Sequence, residues 1–262
     1  MESMEELKGK IVLVTGGSRG IGRSTALAFA AQGSHVVITG RTQAPLEDVA
    51  EEIHRLGAQA LPLVCDVTHR QEVDALKKEI TGRLGTVQIL INNAGVAPAV
   101  GFLAMDDSLW DEVLKVNLTG TYYCCKVFLP GMIASGWGRI INIASTVAKV
   151  AYSHISAYTT SKHAVLGLTR ALAVEMAKSG VTVNAICPGY VDTDLTLDNA
   201  RLMAKRTGKQ MEDVLKLFKS TSPQNRLIAP EEVAELAVML ASDLAKGITG
   251  QAINVDGGAV MV

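Results

Sequence analysis

Aromatic side chains are scarce in this 262-residue sequence, at 4%, and charged ones stand at 19%, below the roughly one quarter usual in soluble proteins. Neither sign of charge prevails. Lys and Arg number 25 against 26 Asp and Glu, for a formal net charge of -1. Without a basic excess there is no electrostatic footprint for nucleic acid, so no such partner is expected. Long hydrophobic runs are missing too. The longest stretch without a charge, Leu84 to Met105, contains Gln88, Asn92, Asn93 and Pro98 and would not sit in hydrocarbon, so no membrane span is expected. Residues Met1 to Lys10 are polar and charged, with no apolar signal region; a cytoplasmic location is the expectation. The four cysteines, Cys65, Cys124, Cys125 and Cys187, show no CxxC spacing. Reduced, buried thiols are expected, with no metal site. What the chain does have is apolar surface, at 48%. That is enough to offset the entropy of ordering, which excludes disorder.

Short apolar runs alternate with longer amphipathic segments. Strands are predicted at Ile11–Thr15, His35–Thr39, Ala60–Cys65, Val87–Ile91, Arg139–Ile143, Val181–Ile186 and Ala252–Val255. Helices are predicted at Ile21–Gln32, Pro45–Leu56, Gln71–Arg83, about Ser108–Ser135, Ala157–Lys178 and Glu231–Ser242, with Gly57 closing the second. Short apolar strands between helices imply an α/β fold: a doubly wound, Rossmann-type parallel sheet of about seven strands, with helices on both faces. No linker interrupts the alternation, so residues 1–262 are read as one domain. The polar segment from about Asp194 to Gln224 breaks the rhythm and is read as a small helical lid.

The segment Thr15-Gly16-Gly17-Ser18-Arg19-Gly20-Ile21-Gly22 joins the first strand to the first helix. Glycines there permit a tight turn and close backbone approach to a pyrophosphate, and the helix N-terminus adds free N–H groups. The placement predicts a dinucleotide site. At the end of the second strand an acidic residue would bind a ribose 2′-hydroxyl, whereas an arginine suits a 2′-phosphate. This sequence has Gly40-Arg41. Arg41, with Arg19 as a second guanidinium, predicts NADP(H) in preference to NAD(H); the alternative is a pair of solvated surface arginines.

Further motifs follow in order: Asp66-Val67, Asn92-Asn93-Ala94-Gly95, Asn117, Ser145, Tyr158 with Lys162, Pro188-Gly189, and Asn254-Val255-Asp256-Gly257-Gly258. With the glycine loop, they make nearly the whole chain resemble the short-chain dehydrogenase/reductase family, and much of it the 3-oxoacyl-thioester reductases within it. The resemblance implies a catalytic tetrad of Asn117, Ser145, Tyr158 and Lys162, with Asn117 holding a water that links Lys162 to solvent. It implies cofactor contacts from Gly16, Ser18, Arg19, Gly20, Ile21, Gly22, Arg41, Asp66, Val67, Asn93, Ala94, Gly95, Tyr158, Lys162, Pro188, Gly189, Val191 and Thr193. A homotetramer is also implied.

Tyr158 and Lys162 are four apart and share a helical face. A phenol titrates near pH 10; a neighbouring ammonium and the positive nicotinamide ring both favour the phenolate, so the pKa of Tyr158 is expected to fall, toward the range useful for acid–base catalysis. Ser145 would hydrogen-bond the substrate oxygen, or simply cap the strand end. Val96, Ala97, Val100, Val147, Ala148, Val150 and Ala151 suit an acyl chain or aliphatic ring better than a sugar. His154 could touch substrate or serve its own loop. On the lid, Arg201, Lys205, Arg206 and Lys209 share a helical face, which reads as a solvated surface or as a contact for thioester phosphates.

The expected activity is NADP(H)-dependent hydride transfer between nicotinamide and a ketone or secondary alcohol, with reduction of a 3-oxoacyl thioester leading. Two features depart from carrier-protein-docking reductases: Ser135-Gly136-Trp137-Gly138 lacks cations, and Lys178-Ser179-Gly180 retains one. An NAD(H)-dependent dehydrogenase of a 3-hydroxy acid, or of a cyclic or aliphatic alcohol, is the alternative enzyme. The segment from Asn184 to Glu232 resembles 3-hydroxybutyrate dehydrogenases. A non-catalytic NADP(H)-binding regulator is the alternative outside catalysis.

Overall fold

The computed structural model describes residues 5–262; the first part of the polar N-terminal stretch, residues 1–4, lies outside them. The seven predicted strands form one parallel sheet. They are β1 (Ile11–Thr15), β2 (His35–Gly40), β3 (Ala60–Val64), β4 (Ile89–Asn92), β5 (Gly138–Ile143), β6 (Val181–Pro188) and β7 (Ala252–Val255), in the order β3-β2-β1-β4-β5-β6-β7. Helices α1 (Gly20–Ala31), α2 (Gln43–Arg55), α3 (Arg70–Arg83), α4 (Asp107–Leu114), α5 (Gly120–Ala134), α6 (Ser156–Glu175), α7 (Asp194–Thr207), α8 (Met211–Ser220) and α9 (Pro230–Ala241) complete it.

Strand alternation builds the two core layers. On β1, Val12 and Val14 face one layer with Phe29 of α1, Leu46 of α2 and Val233 of α9. Ile11 and Leu13 face the other, with Leu76 of α3 and Phe128 and Met132 of α5. Both faces are covered, which is why these strands read as continuous apolar runs. Phe29 is wholly buried, so truncation to Ala would cost about 3–5 kcal/mol. β3 pairs only with β2 and lies at the sheet edge. That position tolerates Pro62, which cannot donate to a ladder.

Gly57, at φ +80°, follows the end of α2 as expected; a glycine just past a helix end takes the left-handed conformation without a Cβ penalty. Two helices differ from the sequence reading by more than two residues. The long helix expected over 108–135 is α4 and α5 joined by a π turn, Lys115–Thr119. The helix expected to reach Lys178 ends at Glu175. All four cysteines are free and buried. Among the described residues no helix is long and apolar enough to cross a membrane, and no cluster of potential metal ligands occurs.

The strand order reverses between β1 and β4, whose ends lie side by side. In open α/β sheets the crevice at such a switch point is where ligands bind.

Candidate active site

Close packing shapes the glycine loop. Gly16 has φ +63°, and a Cβ there would lie 3.0 Å from both the Ala94 Cα and the Asn93 Nδ2. A Cβ on Gly22 would lie 2.1 Å from the Gly16 carbonyl oxygen. No side chain caps the start of α1, where Arg19 stands exposed. The loop is held from the β4 side. Asn93 Nδ2 donates to the carbonyls of Thr15 and Gly16, both at 3.0 Å, and Thr15 Oγ1 accepts from the amides of Asn93 (3.0 Å) and Ala94 (3.1 Å). The side chain of Asn93 is therefore used in building the loop. Ile21 packs on the core, and Thr193, after β6, abuts Gly20, whose Cβ would lie 3.0 Å from Thr193 Cγ2.

The predicted tetrad converges at the ends of β5 and α6. Lys162 is buried, and its Nζ donates to the Ile143 carbonyl at 2.7 Å. That bond uses only part of an ammonium's donor capacity. The ammonium lies 5.7 Å from the centre of the Tyr158 ring. Ser145, after β5, hydrogen-bonds Tyr158, and its oxygen also accepts from the Val147 amide at 3.3 Å, capping a turn at Thr146–Ala148. The strand-end cap read from the sequence is therefore present.

Asn117 sits in the π turn, a form often found at functional sites. Its Oδ1 accepts from the Val96 amide (2.8 Å), and its Nδ2 donates to the Val96 carbonyl (2.9 Å) and Ser161 Oγ (3.0 Å). Both amide hydrogens are engaged, so the side chain pins the loop after β4 and has no N–H left for a water.

Asn92, from the motif at the end of β4, and three residues the sequence reading missed, Asn142, Ser161 and Thr169, hold this arrangement in register. Asn92 Nδ2 donates to Asn142 Oδ1 (2.8 Å), Asn142 Nδ2 donates to Thr169 Oγ1 (2.9 Å), and Ser161 Oγ donates to the Tyr158 carbonyl (2.8 Å). These bonds tie β4 to β5 and β5 to α6. The available signal was polar residues inside the apolar runs ILIN and RIINI; a buried amide persists only where it is paired.

The electrostatics of the chain by itself run against the expected fall. Burial raises the Tyr158 pKa to about 12, with the Ser145 hydrogen bond pulling the other way, so the ammonium alone does not bring it down. Part of the side chain reaches the surface, yet it is enclosed enough for desolvation of the phenolate to dominate. Burial likewise lowers the Lys162 pKa to about 8.

Other predicted residues divide. Arg41 and Asp66 line one cavity of about 490 Å³ with His69 and Lys115; no sequence pattern distinguishes Lys115. Arg41 is exposed. Asp66 stays below its ordinary carboxylate value: burial opposes this, but hydrogen bonds from Thr68 and the charges of His69 and Arg41 prevail. Ser18 is half-buried, near Gly40. Arg19 does not line this cavity. The Val67 and Val191 side chains are buried in the core, leaving only their backbones for a ligand. Gly95 abuts Asn117 Oδ1 and the Lys162 ammonium, and Gly189 after Pro188 abuts Asp256. His154, at φ +68°, is exposed and hydrogen-bonds Ser153 (2.7 Å), which favours its local role. Of the α7 cations, Arg201 pairs with Asp198 (2.6 Å) and Arg206 reaches the Ala99 carbonyl (3.4 Å).

Known proteins share this architecture. Residues 10–202 match the model of the short chain dehydrogenase family. The chain is 39% identical over 254 residues to the 3-oxoacyl-acyl-carrier-protein reductase of Aquifex aeolicus, covering 97% of this chain and 98% of that one. It is 35% identical over 260 residues to the D-beta-hydroxybutyrate dehydrogenase of Cupriavidus necator, covering 97% and 99%. A crystal structure of a variant of actinorhodin polyketide ketoreductase with NADPH superposes at TM-score 0.93, with 35% identity and coverage of 96% and 97%. The chain belongs to the short-chain dehydrogenase family. It is an oxidoreductase acting between alcohol and keto groups.

Proposed function

We propose that the protein is an NADP(H)-dependent reductase of uncharged ketones, with 3-oxoacyl thioesters as the leading substrates. The observation that carries the reading is the Ser145–Tyr158 hydroxyl pair beside the Lys162 ammonium. The residues present fit a dinucleotide. The Gly16 and Gly22 cradle has no room for a Cβ, the start of α1 is uncapped, and Lys162 retains donor capacity. Gly16, Ser18, Gly20, Ile21 and Gly22 would hold the pyrophosphate, with the Arg41 side meeting the 2′-phosphate. A bound nicotinamide supplies the hydride.

The chain's own residues supply the proton. The Tyr158 hydroxyl is protonated at neutral pH and holds the proton to be donated; burial, which raises its pKa to about 12, makes it a weaker acid, so the transfer depends on groups that favour the phenolate. Ser145 hydrogen-bonds that same oxygen and favours the charge gathering on it. The phenolate left on Tyr158 gains from the adjacent Lys162 ammonium. Asn117 positions the Val96 loop and, through Ser161, the helix that carries Tyr158.

The substrate reading rests on lining and charge. Val147 and Ala148, beside Ser145, are buried and apolar, and residues Ser153–Ser156 near Tyr158 carry no cation to hold a free carboxylate. That favours a neutral keto group over a 3-hydroxy acid, although the dehydrogenase relative keeps the second reading alive. A regulator that binds NADP(H) without turnover is the reading outside catalysis. One domain with a lid at 194–224, assembled as a cytoplasmic homotetramer, completes the proposal; light scattering that returned a monomer would refute the assembly. The enzymatic test follows NADPH absorbance with acetoacetyl-CoA, with NADH alongside. Oxidation of NADPH well ahead of NADH supports the reading. No oxidation with either removes the short thioester, and binding without turnover on any ketone leaves the regulator.

A further inference from the structure

Strand β7 runs into the motif Asn254-Val255-Asp256-Gly257-Gly258, which folds the following residues back on themselves. The Asp256 carboxylate is buried and accepts from two amides, that of Gly258 at Oδ1 (3.0 Å) and that of Val260 at Oδ2 (2.9 Å). Asn254 Nδ2 donates to the Val260 carbonyl from the strand side of the turn. Gly257 has φ +62°, and a Cβ there would lie 2.3 Å from Ser222 Oγ, so both backbone and packing call for glycine. The turn is fixed by its own side chains, which sets the direction of residues 259–262.

That direction leads to Lys149. Its Nζ donates to the Ala252 carbonyl of β7 and to the Val262 carbonyl, both at 2.7 Å. One ammonium joins the two limbs of the fold-back. Lys149 also closes the turn Thr146–Ala148, its amide donating to the Thr146 carbonyl at 3.0 Å. Ser145 opens the same turn: its carbonyl accepts from the Ala148 amide at 3.0 Å, and its hydroxyl oxygen from the Val147 amide. On the inner side Ala144 and Ala148 cluster with Val165 and Cys187, and Ala252 packs against them. A single helical turn is not stable by itself. Packing holds the inner side of this one, and Lys149 holds its outer end.

We propose that Lys149 is a positioning residue: by tying the end of the Thr146–Ala148 turn to Ala252 and Val262, it holds the Ser145 hydroxyl against Tyr158 and the substrate oxygen. This rests on the reading of Ser145 as a partner of that oxygen. Lys149 acts through the turn, and its charge takes no part in the proton transfer. Asp256 contributes by aiming the chain that meets Lys149.

The test follows single-turnover oxidation of NADPH with ethyl 3-oxobutanoate in wild type, Lys149→Met, Lys149→Arg and Asp256→Asn, each with Ser145 intact and again with Ser145→Ala. Lys149→Met should lower the rate at saturating ketone about tenfold or more, since misplacement by about 1 Å can cost about 10²-fold. The ketone concentration at half-maximal rate and the NADPH Kd should stay within about twofold, because the lost interaction is made in the transition state. Lys149→Arg keeps donors for the two carbonyls and should recover most of the rate. Asp256→Asn keeps one of the two carboxylate acceptors and should lose less than Lys149→Met. With Ser145→Ala, neither Lys149→Met nor Asp256→Asn should slow the reaction further, because the group they position is gone. Thermal unfolding and NADPH fluorescence report whether each variant is folded and binds cofactor. A folded Lys149→Met with the wild-type rate, or one that loses the same factor in both backgrounds, overturns the inference and leaves the Ser145 reading standing. Full turnover in Ser145→Ala alone, or a wild type inactive on the ester, overturns both. If Lys149→Met does not fold, Asp256→Asn decides by the same comparison.

Discussion

Replacing Lys162 with methionine should inactivate the enzyme and stabilise the protein. The Lys162 side chain is 6% exposed, and burial lowers its pKa from 10.5 to about 8. At about 1.4 kcal/mol per pKa unit, that shift is worth roughly 3 kcal/mol against the folded state at neutral pH. Methionine fits the same volume without a charge and has similar helix propensity. The variant takes this partner from the Ile143 carbonyl, which costs about 1–2 kcal/mol. A net gain of about 1–2 kcal/mol remains. Its pH dependence identifies the cause. Below pH 8 the lysine is charged in both folded and unfolded states, and the folded state bears the full penalty. From about 8 to 10.5 the unfolded chain holds more protons than the folded one, so wild-type stability rises with pH through that window. Above it both states are neutral and the penalty is gone. Urea unfolding of both proteins at pH 7 and pH 10 measures this, and the difference between them cancels every other titration. A variant less stable than wild type at pH 7, with no convergence at pH 10, would refute the burial argument.

Other outcomes follow from the same geometry. Asn117→Ala leaves the Val96 amide and carbonyl without this side-chain partner and removes one of the two hydrogen bonds of Ser161 Oγ, so it should cost about 2–3 kcal/mol in urea unfolding and raise KM for ketones. Gly22→Ala sets a Cβ 2.1 Å from the Gly16 carbonyl oxygen; calorimetric titration should show NADPH binding lost in any protein that folds. Arg41→Asp should reverse the preference between NADPH and NADH, read as the ratio of the two Kd values by fluorescence. An unchanged ratio would remove Arg41 from the 2′-phosphate.

The sheet was legible because its strands are buried on both faces, and runs such as IVLVT and HVVIT have no other stable placement. The glycine loop was legible because its spacing between strand and helix is itself the constraint. The π turn was not. Its cause is the tertiary demand that Asn117 reach Val96 and Ser161 at once, which no local periodicity records. The Tyr158 shift was misjudged for a related reason: spacing reveals the ammonium four residues on, but not how much of the phenol is enclosed. Asn142 and Thr169 went unread because a polar residue in an apolar run has meaning only once its partner is known. The stacking of Tyr190, which precedes the lid, on Phe218 within it joins residues far apart in the chain, and nothing in their spacing links them.

The most direct test of the account follows a single turnover of NADPH with acetoacetyl-CoA in wild type and Tyr158→Phe, with cofactor affinity measured on both by fluorescence. The account predicts unchanged NADPH affinity and a rate reduced by about 10²-fold or more, the range of a lost general acid. A variant that binds NADPH as wild type does and turns over at a near-normal rate would contradict it, because the proton would then come from another group.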